Sequence, residues 1–313
     1  MTEQQHTSQL ADDEIDLREL FKALWQGKWI IIVTTFIFSV AAVLYALSLP
    51  NIYKSEVTLA PVSEDAGLKI PGQLGGLAAL AGVNLSGMGG GDKSGLAIEI
   101  LKSRDFIGRF IEQNNLYIPI MAAEGWDRSS DELLLDAKIY DKNNQQWVRK
   151  VKAPFKPKPS NLETFEEFKK SFSVNQDKTS GMVKLSVEHY SPYLAKAWVD
   201  QLVNAINEEM RQRELTEAER SIAYLNTQIA QTNIADVRTM LFSLIEEQTK
   251  TVMLANVRDE YVFKTIDPAV VSEKKAKPKR ILLIILISVT GLVLSSILLF
   301  VLISLGYFRK YKK

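Results

Sequence analysis

Residues 29–49 read W-I-I-I-V-T-T-F-I-F-S-V-A-A-V-L-Y-A-L-S-L, without one charged side chain. A helix needs roughly 20 predominantly apolar residues to cross the hydrocarbon core of a bilayer, so this stretch is long enough to span. A second uncharged run, I-L-L-I-I-L-I-S-V-T-G-L-V-L-S-S-I-L-L-F-V-L-I-S-L-G at 281–306, lies near the other end of the chain. The two runs divide the sequence into an N-terminal segment (1–28), a transmembrane helix (29–49), a large domain (50–280), a second transmembrane helix (281–306) and a short tail (307–313). A cleaved signal peptide is the rival reading of the first run, because Ala46 and Ser48 supply small residues in an A-x-A-like arrangement. Its length exceeds the usual h-region of about 7 to 15 residues, and Asp12, Asp13, Glu14 and Asp16 precede it, so a retained span is expected.

Two spans place both termini on one side of the membrane, and the Lys/Arg balance of the flanks sets which side. Arg18, Lys22 and Lys28 precede the first span and only Lys54 follows closely, which predicts a cytoplasmic N-terminus. Around the second span, Lys274, Lys275, Lys277, Lys279 and Arg280 nearly cancel Arg309, Lys310, Lys312 and Lys313. The first helix usually dominates and long loops translocate largely regardless of charge. The domain at 50–280 is therefore expected outside the cytoplasm, which in a bacterium is the periplasm. A formal net charge of +1 gives no bias toward polyanions, so nucleic acid is not an expected partner. The absence of cysteine excludes a disulfide framework and thiolate metal sites, and is compatible with either compartment.

Before the first span, Ile15, Leu17, Leu20, Phe21, Leu24, Trp25 and Lys28 recur at near-helical spacing and predict a short amphipathic helix, with Trp25 and Trp29 at headgroup depth. After Pro50, Tyr53, Ser55, Val57 and Leu59 alternate with Lys54, Glu56 and Thr58, the period of a half-buried strand. A glycine-rich passage from Pro71 to Gly91 reads as a mobile loop. Ala97, Ile98, Ile100 and Leu101 are helical in pattern, and Ser103 is placed to cap a second helix carrying Phe106, Ile107, Phe110 and Ile111. Ser160 with Glu163 fits a capping box for a helix through Phe165 and Phe168. Phe172–Val174, a turn around Asp177 and Gly181, and the alternating Val183, Leu185 and Val187 predict a hairpin.

Ser191 followed by Pro192 is a strong helix start, since serine caps an orphan amide and proline at the first helical position gives up no needed hydrogen bond. Leu194, Trp198, Leu202, Ile206 and Met210 form an apolar ladder on the first half of this helix. From Glu208 to Arg220 nearly every residue is polar, with Glu209 and Arg213 spaced to pair, so the second half is expected to leave the core. Asn233 with Asp236 reads as an acidic capping box for a further helix bearing Val237, Leu241, Leu244, Ile245 and Val252, and Glu260–Ile266 reads as a returning strand. The expected fold is α+β: two transmembrane helices flank a periplasmic α/β base domain, from which long helices project over about 191–257.

Catalytic signals are weak. Only His6 and His189 are present, so a histidine triad or a multi-histidine zinc site is barely constructible, and His189 is expected at a surface or sheet edge. G-M-G-G-G-D-K-S at Gly87–Ser94 imitates a phosphate-binding loop, but the motif requires glycine where Asp92 stands, and a preceding strand. Lys93 and Ser94 read instead as a loop exit and helix cap. Glu166–Glu167 and Glu208–Glu209 are adjacent on helices and do not face one another, as a glycosidase pair must. No catalytic, cofactor-binding or metal-ligating residue is expected. Within the spans, Ala42 with Ala46 and Gly291 with Ser295 form small-xxx-small pairs that allow close helix approach, within the chain or to a membrane partner.

E-I-D-L-R-E-L-F-K-A-L-W-Q-G-K-W-I-I at Glu14–Ile31, the span after it, and P-N-I-Y-K-S-E-V-T-L-A-P at Pro50–Pro61 resemble the start of the Wzz chain-length determinants, also called polysaccharide co-polymerases. The resemblance extends to the long helix, the strand before Asp267 and Pro268, and the second span with its short tail. It implies a non-enzymatic inner-membrane homo-oligomer with its main domain in the periplasm and both termini in the cytoplasm. It further implies action with a Wzy-type O-antigen polymerase on lipid-linked polysaccharide, with no cofactor. The family's approach to the second span is usually proline-rich, whereas here Pro268 and Pro278 stand either side of a lysine cluster. Ala42, Ala46, Pro278, Gly291 and Ser295 are the candidate membrane-partner contacts. The glycine-rich passage and A-I-E-I-L-K-S-R-D-F at Ala97–Phe106 also resemble relatives in capsule or exopolysaccharide export that work with a tyrosine kinase, here a separate one, which makes Tyr307 and Tyr311 of interest. A two-span receptor for a small ligand and a periplasmic hydrolase are the readings from other classes. The hydrolase would require a convergent pair of buried carboxylates.

Overall fold

The computed structural model describes Trp25 and residues 27–62 and 93–304, with side chains as far as Val301. Most of the predicted amphipathic helix, the glycine-rich passage with Gly87–Gly91, and Tyr307 and Tyr311 lie outside the described residues. The chain divides into two compact units, one of Met1–Pro50 with Lys277–Lys313 and one of Asn51–Ala276.

The first unit is a pair of helices, α1 (Lys28–Ser48) and a C-terminal helix over Arg280–Ser304. Both are long and apolar enough to cross a membrane, and only 11% of each apolar window is buried, unlike the core helix of a soluble protein. They run antiparallel. Ser39 Oγ donates to Ser288 Oγ at 3.0 Å, and the Arg280 guanidinium donates to the Leu49 carbonyl at 3.1 Å.

The second unit is built on a four-stranded antiparallel sheet. β1 (Tyr53–Pro61) keeps the expected alternation, with Ser55, Val57 and Leu59 buried. Then follow α2 (Lys93–Lys102), α3 (Arg104–Gln113), α4 (Tyr117–Met121), β2 (Ala123–Asp127), β3 (Glu132–Leu135), β4 (Tyr140–Asp141), β5 (Gln146–Trp147) and α5 (Asn161–Ser171). β6 (Phe172–Gln176) and β7 (Val183–His189) form the predicted hairpin. α6 (Pro192–Gln231), α7 (Ala235–Val257), β8 (Phe263–Asp267) and α8, the Arg280–Ser304 helix, complete the order. The sheet order is β6-β7-β1-β8, so the first strand of the unit lies between the hairpin and the last strand.

The caps explain where the helices start. Ser103 accepts from the Phe106 amide, and Ser160 and Glu163 make the reciprocal capping box. Ser191 accepts from the Leu194 amide with Pro192 behind it. Lys93 and Ser94 both lie within α2, where Ser94 is buried rather than capping the helix. The core lies between the sheet and the first half of α6. Leu59, Val183, Leu185 and Val187 are fully buried, as are Val199, Leu202 and Ile206, and Trp198 is nearly so. Each such Leu or Ile contributes roughly 1.5–3 kcal/mol by leaving water.

α6 has 40 residues and therefore extends roughly 60 Å at 1.5 Å per residue. Beyond Met210 only Ala218 of this helix is buried, so the polar half does leave the core and is paired with α7 instead. Arg213 and Glu209 make the expected pair at 2.7 Å.

Three expectations are corrected. The α7 cap is not Asn233 with Asp236: Ile234 occupies the N-cap without a side-chain bond, and Thr232 Oγ1 takes the Ile234 amide. The returning strand starts at Phe263 rather than Glu260, where pairing with β1 begins at Pro61, and the Val262 and Phe263 amides are held by a side chain of α6. His189 is not at a surface but 7% exposed, since α4 and the start of α6 close over the end of β7.

Candidate functional site

Two arrangements carry the architecture's functional potential: the seam between the spans, and the junction that ties the projecting helix to the sheet. At the seam, small residues sit where bulk would separate the helices. Ala42 is 1% exposed, Ala46 is fully buried and Ser295 is 2% exposed. A Cβ placed on Gly291 would lie 2.6 Å from Phe38 Cβ, and one on Gly27 would overlap the Leu299 side chain. Ser295 Oγ returns its proton to the Leu292 carbonyl at 2.8 Å, the usual way a hydroxyl is satisfied in an apolar helix. The structure thus brings Ala42, Ala46, Gly291 and Ser295 into contacts within the unit. Pro278 lies apart from them, in the segment leading to α8, where its carbonyl accepts from the Arg280 amide at 2.9 Å.

The junction rests on Asn207, a buried polar residue with nothing in its sequence context to mark it. Its Oδ1 accepts from the Val262 and Phe263 amides, both at 2.9 Å, and its Nδ2 donates to the Phe263 carbonyl at 3.0 Å. One side chain therefore plays the part of a missing neighbour strand for the start of β8. Two residues farther along, Glu209 lies between Arg109 at 3.0 Å and Arg213 at 2.7 Å, and Lys93 reaches Glu214 at 2.7 Å. The hydrogen bond from Arg109 holds the Glu209 carboxyl below its ordinary range, against the opposing effect of partial burial. These pairs clamp α2 and α3 to the middle of α6. A polar groove of about 490 Å³ runs along the same part of α6, past Gln212, Thr216 and Arg220.

His189 has both ring nitrogens engaged. Nδ1 accepts from the Ser191 amide at 3.1 Å, so the proton is on Nε2, which donates to the Pro119 carbonyl at 3.0 Å. Burial pushes its pKa down, which keeps the ring neutral. The imidazole packs on Trp198 at 4.7 Å between ring centres and joins α4 to the cap of α6. A base needs a free lone pair directed at substrate, and this ring has none. Among the described residues no Asp or Glu is buried and no group of three or more His, Asp and Glu side chains converges on a point. Glu208 and Glu209 diverge as helix geometry requires, Glu208 pairing with Arg211.

Compared with known families, residues 13–114 match the Wzz model, described as chain length determinant protein. The matched stretch is about a third of the chain, at its N-terminal end. The match takes in the first span, β1, α2 and α3, and so bears out the resemblance carried by Glu14–Ile31 and Pro50–Pro61. No curated protein matches. Among solved structures, a full-length bacterial polysaccharide co-polymerase is similar at 12% identity, over 95% of this chain and 99% of that one, with a TM-score of 0.38. A fragment of WzzB, a polysaccharide co-polymerase from Salmonella Typhimurium, is similar at 11% identity, over 72% of this chain and 100% of that one, with a TM-score of 0.24. The similarity to the Wzz model lies within residues 13–114.

Proposed function

We propose that this protein regulates polysaccharide chain length in lipopolysaccharide O-antigen biosynthesis, without catalysing bond formation itself. The observation that carries the reading is the Wzz match over residues 13–114, which spans the first membrane helix and the opening of the second unit. The two apolar helices support a membrane protein, and the Lys/Arg balance around the first span supports a 50–280 domain in the periplasm, spans at 29–49 and 281–306, and both termini in the cytoplasm. The protein acts as a homo-oligomer with a Wzy-type polymerase that extends lipid-linked polysaccharide. Ala42, Ala46, Gly291 and Ser295 keep the spans together as one rigid pair, and that pair, with Pro278 at its edge, meets the polymerase in the membrane. The long α6–α7 hairpin supplies the periplasmic surface.

The test is genetic. Deleting the gene in its host removes the modal cluster from the lipopolysaccharide banding on a gel, and the intact gene on a plasmid restores it. A change confined to capsule or secreted polysaccharide assigns the protein instead to export alongside a separate tyrosine kinase.

A further inference from the structure

Three aromatic rings from separate elements meet on the surface of the second unit. Tyr53 begins β1, Trp126 lies in β2, and Tyr193 follows the proline that opens α6. Tyr53 and Trp126 stand edge to face at 5.7 Å between ring centres, and Trp126 and Tyr193 are tilted at 6.1 Å. Tyr53 and Trp126 are half-buried, while Tyr193 is 52% exposed. The indole is fixed in place, because its Nε1–H donates to Asp131 Oδ1 at 2.8 Å. Asp131 reaches that position from a left-handed turn conformation, with φ of 54°, which aspartate adopts more readily than most residues. The aromatic surface is therefore pre-organised.

Asp131 sets a carboxylate beside the indole, and the β2–β3 hairpin that bears it also carries Glu124, Asp127 and Glu132, against Arg128 within it and Lys142, which pairs with Glu132 at 2.9 Å. A carboxylate beside the rings disfavours phosphate and an anionic bilayer surface there. The face of an aromatic ring is the negative end of its quadrupole, which attracts the polarised C–H groups of a sugar ring, while carboxylates accept from sugar hydroxyls. We propose that Tyr53, Trp126 and Tyr193, with Asp131 beside the indole, form a saccharide-binding platform for neutral or amino-substituted sugar units of the growing polysaccharide. This deepens the proposed function and rests on that reading for the identity of the polymer.

The test uses the full-length protein in nanodiscs and polysaccharide freed of lipid by mild acid from the host's own lipopolysaccharide, with binding read by saturation-transfer NMR. The wild type binds the polymer. Trp126→Ala and Tyr193→Ala each weaken binding about fivefold to tenfold, the size of one lost ring contact. Tyr224→Ala, at a 64% exposed tyrosine far along α6, leaves it unchanged. If Trp126→Ala fails to fold, Tyr193→Ala decides, since that ring supports little of the core. No binding by the wild type, or equal binding by all three variants, overturns the proposal. So does a component of brominated-lipid quenching, beyond that of Trp25 and Trp29, that is lost in Trp126→Phe, because the rings then belong to the bilayer interface. Binding retained in a protein whose deletion leaves banding untouched keeps this site and sinks the proposed function; the opposite pattern does the reverse.

Discussion

Asn207 and Phe263 are joined by a pair of hydrogen bonds, side-chain Nδ2 to carbonyl at 3.0 Å and amide to side-chain Oδ1 at 2.9 Å, although they lie 56 positions apart in the chain. The chain leaves the sheet along α6, returns along α7, and is received at the level of Asn207. The stem of the projection is thereby fastened to β8, and through β8 to β1.

Asn207→Leu removes all three bonds of this side chain and leaves two amides and a carbonyl without partners at a buried site. An unsatisfied buried group costs about 1–3 kcal/mol, so a loss of about 2–4 kcal/mol is expected after partial relaxation. Denaturant unfolding followed by near-UV circular dichroism measures it. A loss below 1 kcal/mol would show that the stem is held elsewhere.

Neutral His189 is part of the fold, and its pKa is depressed by burial. The unfolded chain binds the proton more readily, near pH 6.5, so the stabilising contribution is fully present above that value and is lost as pH falls from it toward the folded pKa. The melting temperature of the wild type should fall between pH 7.5 and 5. His189→Phe should start lower at pH 7.5 and show a shallower slope. Parallel slopes would contradict this assignment.

The absence of cysteine makes the span pair directly testable. Ser39 and Ser288 lie Oγ to Oγ at 3.0 Å, close enough for a disulfide after Ser39→Cys and Ser288→Cys together. Mild oxidation should give an intramolecular cross-link that shifts mobility on non-reducing gels. Adding Gly291→Leu should cut the yield severalfold, because the new side chain collides with Phe38. Cross-linking only between chains would rule out this pairing.

Arg109→Ala should cost about 0.5–1 kcal/mol, since its side chain is 44% exposed and solvent screens the pair with Glu209. Raising salt should shrink the difference from wild type. A salt-independent loss would point to packing by the arginine stem instead.

Several elements were legible in the sequence because one local rule sufficed. The alternation from Tyr53 to Leu59, the capping box at Ser160, and Ser191–Pro192 each specify an element without help from distant residues. The spans were legible from length and apolarity. The stretch from Tyr117 to Trp147 was not, because strands of two to five residues are too short to show a period and are defined by their hairpin partners. His189 was misplaced because burial at the end of β7 depends on α4, and no periodicity of β7 reports it. Asn207 carried no signal at all, being one polar residue between an apolar ladder and the polar run that follows it. The small residues of the spans were visible as a pattern, but which helix they face is a tertiary fact.

The most direct measurement of the central claim is a polymerisation assay with purified polymerase, lipid-linked repeat units and this protein, with product lengths resolved on gels. The polymerase alone should give a broad distribution; adding the protein should gather the products around a modal length, and the protein without polymerase should give no polymer. Identical distributions with and without it, or polymer made in the absence of the polymerase, would contradict the account.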